Sequence, residues 1–83
     1  MNTSNTAPEV AAVGVRFTET MVYVALSDGR EVGVPLAHYQ FLARATSAQR
    51  ANWQLEPRGF AVYWPDLDDG LEVIHLLSPL AVV

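Results

Sequence analysis

Gly59 to Leu77 reads GFAVYWPDLDDGLEVIHLL, and the reading of this stretch decides the fold. Phe60 to Trp64 alternates at the period of a strand, with Phe60, Val62 and Trp64 on one face and Ala61 and Tyr63 on the other. Pro65 closes it, because proline has no N–H to give a ladder. Asp66 to Gly70 follows as a tight acidic loop. Leu71 to Leu77 supports two periods. Leu71, Val73 and His75 alternate as in a strand, whereas Val73, Leu76 and Leu77 share a helical turn. The expected element is a short terminal helix stopped by Pro79. The closing residues, Leu80 to Val83, are apolar and can pack back or lie against another chain. A strand such as Phe60–Trp64 needs partners, and the upstream chain has to supply them.

Upstream, Val13, Val15 and Phe17 point one way and Gly14, Arg16 and Thr18 the other, which predicts a first strand. Glu19 and Thr20 make a candidate turn. Met21 to Leu26 is apolar on both faces, which places that strand mid-sheet or beneath a helix. Asp28-Gly29 is a hairpin signal, since Asp tolerates and Gly prefers positive φ. Arg30 to Val34 returns with Val32 and Val34 inward, and Pro35 ends it. Three strands so joined make an antiparallel meander. From Leu36 to Ala45 the period becomes helical, with Leu36, Tyr39, Leu42 and Ala43 on one face. Thr46-Ser47-Ala48-Gln49 has the form of a capping box opening a second helix to about Trp53. Glu56 to Gly59 is a loop by its Pro and Gly. The expected fold class is α+β, a small antiparallel sheet of a three-stranded meander plus a fourth strand, with two or three short helices. Residues 1–11 read as a flexible N-terminal tail and residues 12–83 as one domain.

The composition narrows the functions. Eighty-three residues make a single domain. Such a chain buries little more than about 60% of its unfolded surface, so its margin is thin, roughly 5 kcal/mol. There is no Cys, hence no disulfide and no thiolate metal site. The first residues lack the basic and apolar regions of a signal peptide, and no apolar run is long enough to span a bilayer. A cytoplasmic location without membrane attachment is the expectation. The net charge is −4, Lys is absent, and the five Arg are scattered through the sequence, which argues against direct nucleic-acid binding. With 51% hydrophobic and only 17% charged residues, part of the surface is expected to be covered by a partner or a second copy.

Each candidate site has an ordinary structural role as its alternative. Asp66, Asp68, Asp69 and Glu72 cluster as hard-cation ligands do, but the position that would carry the closing Glu of a calcium loop is Leu77. Asp66 or Asp68 accepting backbone N–H groups in a turn, or capping the next helix, is the simpler reading, and no metal or cofactor is assigned. Alternation separates Tyr63 from Trp64, so the two cannot line one pocket. Trp64 belongs in the core and Tyr63 at a half-exposed face. His38 and His75 have no nucleophile placed beside them by spacing, so no catalytic residues are assigned. Arg50 is expected on the outer face of the second helix.

The order Asp28-Gly29, Val34-Pro35-Leu36, Ala45 to Arg50 and Gly59 to Val73 resembles a widespread family of small bacterial proteins classed as a domain of unknown function. The likeness covers about residues 12–78 and is carried by Trp64, Pro65, Leu67 and Asp68, with the Arg50 region in support. It implies a small α+β domain, no catalytic residues, and a gene placed beside that of another small protein, in pairs resembling toxin–antitoxin modules. Some relatives are joined to a helix-turn-helix domain. This chain departs from the pattern in lacking a Pro near Gln40, and in having Asp69-Gly70 where relatives carry a further acidic residue and spacer.

The leading expectation is a non-enzymatic protein-interaction module, the antitoxin-like or regulatory half of a small two-protein system. Its candidate residues are Arg50, Tyr63, Trp64, Pro65, Asp66, Leu67, Asp68, Asp69 and Glu72, and its candidate surfaces are a free edge of the meander, at Val13–Phe17 or Arg30–Val34, and the apolar run Val73–Val83 with Tyr63 near it. The partner is a small protein, and a homodimer is a second form of the same idea. The alternatives are a ligand- or metal-binding domain centred on the acidic loop, and a nucleic-acid regulator acting only in complex with a basic partner.

Overall fold

The computed structural model describes residues 10–77. Residues 1–9, most of the expected tail, and the apolar stretch 80–83 lie outside them. Three strands come first: β1 (Ala12–Phe17), β2 (Met21–Leu26) and β3 (Glu31–Pro35), paired antiparallel in the order β1-β2-β3. A 3₁₀ turn (Leu36–His38), α1 (Gln40–Ala43) and α2 (Ser47–Ala51) follow. Then come β4 (Gln54–Leu55), a second 3₁₀ turn (Pro57–Gly59), β5 (Ala61–Trp64), β6 (Asp69–Glu72) and α3 (Val73–Leu77).

The α+β class is the expected one, but the strands are distributed differently. The expected fourth strand does not join the meander. It is the centre of a second antiparallel sheet, ordered β4-β5-β6. The terminal helix begins at Val73 rather than Leu71, because Leu71 and Glu72 pair with Val62 and Ala61. Asp69 and Gly70, expected in the loop, open that same strand. Gly70 is required there: a Cβ would lie 2.5 Å from the Val62 carbonyl oxygen.

In the meander, β2 is the middle strand, as its two apolar faces require. Val22 and Val24 face Val34 and Val32 on one side and Phe17 and Val15 on the other. A bulge changes the parity of β1: Ala12 faces Leu26 and Gly14 faces Ala25, leaving Val13 as an extra residue. Ala12 is therefore buried and Val13 is 54% exposed, the reverse of the alternation read from the sequence. At the β2–β3 hairpin, Gly29 takes a φ of 93° and its N–H donates to the Leu26 carbonyl at 3.0 Å. Only the glycine of the Asp28-Gly29 pair enters the left-handed region. Asp28 instead accepts the Arg30 N–H and Nε at 3.1 and 2.7 Å.

The first predicted helix is interrupted at Tyr39, whose backbone is extended (φ −125°, ψ 96°). The kink brings the Tyr39 and Phe41 rings edge to face at 6.2 Å. The capping box forms as read. Thr46 Oγ1 accepts the Gln49 N–H at 3.1 Å, and Gln49 Oε1 accepts the Thr46 N–H at 2.9 Å. One apolar cluster joins the parts: Val22, Val24 and Leu26 from the meander, Leu36 and Leu42 from the connector, and Val62, Trp64, Leu71 and Val73 from the second sheet and α3.

Candidate functional site

Trp64 ends β5 fully buried. Its ring meets Phe41 at 5.8 Å and Phe17 at 6.3 Å, both edge to face, so it touches the helical connector and the meander at once. Its indole N–H donates to the Arg50 carbonyl at 2.9 Å. Arg50 does not stand on an outer helix face as expected. Its guanidinium folds back, Nε donating to the Leu42 carbonyl at 2.9 Å and Nη2 to the Ala43 carbonyl at 3.2 Å. The end of a short helix leaves such carbonyls without intrahelical partners, and a planar donor fork matches two of them. Arg50 and Trp64 are thus brought together to fasten α1, α2 and β5.

The acidic residues each have a partner of their own. Leu67 donates its N–H to the Trp64 carbonyl at 3.0 Å and packs against the core, and Asp68 donates its N–H to the Pro65 carbonyl at 3.3 Å, which folds the hairpin between β5 and β6. Asp66 accepts from Asn52 Nδ2 at 3.0 Å, Asp68 from the Tyr63 hydroxyl at 2.8 Å, and Glu72 lies 3.3 Å from His75 Nδ1. Asp69 accepts the adjacent Gly70 N–H at 2.8 Å. The backbone role expected of Asp66 or Asp68 falls to Asp69. Asp66 and Asp68 clamp side chains instead. Asp68 is at φ 52°, a conformation Asp tolerates in turns. Its carboxylate raises the pKa of the Tyr63 hydroxyl above the ordinary value, because the bond it accepts is lost on deprotonation. Among the described residues no group of three or more His, Asp or Glu is placed to hold a metal ion.

A groove of about 600 Å³ opens beside α3, lined in part by Val10, Arg58, Phe60, Glu72, Ile74 and Leu77. Phe60 is 52% and Ile74 71% exposed, so two large apolar side chains face solvent on one surface. Each has a local cause. Arg58 and Gly59 occupy successive left-handed positions (φ 62° and 69°), and a Cβ on Gly59 would meet the Ala12 carbonyl oxygen at 2.5 Å. This turn leaves Phe60 with helical dihedrals (φ −71°, ψ −17°), outside the strand alternation that would have buried it. In α3, Val73 is buried and Leu76 and Leu77 pack on the core, so Ile74 faces out. Tyr63, expected near this surface, is tied to Asp68 and does not line it.

The sequence model of a family described as a protein of unknown function, DUF2442, matches residues 12–80. The chain belongs to the DUF2442 family. Among solved structures, a protein of unknown function from Rhodospirillum rubrum superposes with a TM-score of 0.73 at 24% identity, covering 92% of this chain and 90% of that one. An uncharacterised protein from Chromobacterium violaceum superposes with a TM-score of 0.70 at 25% identity, covering 81% of this chain and 63% of that one. No curated protein matches the chain. In this DUF2442 chain the Trp64-Pro65-Asp66-Leu67-Asp68 segment builds a hairpin and a core contact, while the exposed apolar groove is assembled from residues outside that segment.

Proposed function

We propose that this DUF2442 chain is a non-enzymatic protein-interaction module, the regulatory or antitoxin-like half of a small two-protein system, and that it receives its partner at the groove beside α3. The observation that supports this reading is the joint exposure, among the described residues, of Phe60 and Ile74 on one groove surface. Phe60, held out by left-handed backbone at Arg58 and Gly59, and Ile74, on the outer side of α3, are the anchors that a partner's apolar segment would desolvate. The two-protein arrangement is supported by the family resemblance alone.

The test is co-purification of the tagged full-length chain from its native cells, in parallel with the double variant Phe60→Ser, Ile74→Asp. The expected result is one small protein in stoichiometric amount with the parent chain and none with the variant, at unchanged melting temperature. Recovery of the same protein by the variant, or of no protein by either chain, would overturn the reading.

A further inference from the structure

The pairing of β2 with β3 fixes which backbone groups of β3 are spoken for. The ladder is bracketed by Leu26 N–H to the Arg30 carbonyl and by Leu36 N–H to the Thr20 carbonyl, both at 2.8 Å. Hydrogen-bonded pairs alternate along an antiparallel ladder, so Val32 and Val34 turn their N–H and C=O toward β2. Glu31, Gly33 and Pro35 turn theirs away from it, and no backbone bond to those groups is made among the described residues. Other edges are shorter or interrupted. The N–H that Gly70 turns outward on β6 is taken by the Asp69 carboxylate, β1 is bulged at Val13, and β4 has two residues.

The open edge of β3 is complementary to itself. We infer that β3 pairs antiparallel with β3 of a second copy, about a two-fold axis at Gly33, joining two meanders into one continuous sheet. In that register Gly33 exchanges both bonds with Gly33 of the second copy. The Glu31 N–H donates to the opposite Pro35 carbonyl, so Pro35 is needed only as an acceptor and each end closes with a single bond. Val32 meets the opposite Val34 on the inner face, where both are already half-buried against the core. On the outer face the Tyr23 ring lies over Gly33, within 2.5 Å of where a Cβ would stand, and shields the central bonds from water. The charge at the edge is compensated within each chain. Arg16 holds Glu31 by two bonds of 2.9 Å, and its guanidinium stacks 4.0 Å from the centre of the Tyr23 ring. The same patch serves both copies, which closes the assembly at two. The surface involved is small for a stable dimer, so the association is of the weak, concentration-dependent class.

This inference is independent of the groove, and its test separates the two. Amide NMR and sedimentation velocity on the full chain, taken up to about 1 mM, cover dissociation constants into the millimolar range. The expected result is a concentration-dependent dimer in which the Glu31 and Gly33 amides shift and gain protection from exchange while the Gly70 amide does not. Glu31→Pro, which removes an outward N–H and no bond of the β2–β3 ladder, should weaken association by about tenfold or more. Ile74→Asp should leave it unchanged. A monomer throughout the range, or a dimer whose perturbed amides lie on β1 or α3, would overturn the inference. The mapping on the parent chain decides the matter even where the proline variant fails to fold.

Discussion

Arg50 shows how much one side chain can hold in a small domain. Its guanidinium closes the end of α1, and its own carbonyl receives the Trp64 indole. Arg50→Ala is expected to lower the unfolding free energy by about 2 kcal/mol, since charged donors lose more than neutral ones, although the Leu42 carbonyl keeps the Ala45 N–H at 3.2 Å. Arg50→Lys should recover less than half of the loss, because an ammonium cannot reproduce the planar fork. Urea denaturation followed by circular dichroism checks both. Glu31 carries the pH dependence of the meander. The bonds from Arg16 hold its carboxyl below the usual range, and the backbone and side chain of Arg30 do the same for Asp28. A folded-state pKa below the unfolded one means the unfolded chain binds more protons through that window. Stability from these groups is therefore present above the unfolded pKa and is lost as the pH falls through the folded one. Glu31→Gln should flatten the fall of melting temperature between neutral pH and the acid end of the carboxylate range.

At the scale of elements, the capping box is the most local device in the chain and gives the simplest prediction. Thr46→Ala should cost about 1 kcal/mol by loss of the bond to the Gln49 N–H, measured by the shift in denaturation midpoint. That box, the Asp28-Gly29 hairpin and the doubly apolar β2 were legible in the sequence because each depends on residues within a few positions of one another. What escaped depends on distant ones. The bulge at Val13 reverses the parity of β1 only against β2, so alternation within β1 alone misplaces Ala12 and Val13. The β4 pairing of Gln54 with Tyr63 and Leu55 with Val62 involves two residues, too few to set a period. Arg50 reads as a surface residue of α2 until α1 turns its carbonyls toward it. The groove was half legible. The helical turn of Val73, Leu76 and Leu77 leaves Ile74 outside, but alternation placed Phe60 with Val62 and Trp64. The pair of left-handed residues at Arg58 and Gly59 is what removes it from that face.

For the molecule as a whole, the two sheets present separate surfaces. The meander offers an edge and the second sheet, with α3, offers a groove, so variants of one surface should leave the other intact. The position of Trp64 between them has a kinetic consequence. Each sheet is assembled from hairpin-range pairings, whose loops close with little entropy lost. The contacts of Trp64 with Phe17 and Phe41 join stretches far apart in the chain, and contacts of that range are the slow ones to form. Trp64 is therefore placed to report the joining of the two sheets. With Trp53→Phe leaving it the sole indole, its fluorescence in stopped-flow refolding should change no earlier than the far-ultraviolet dichroism. Phe17→Leu should slow that change if the joining is the rate-limiting step, so a single buried ring becomes a clock for the order in which the domain is put together.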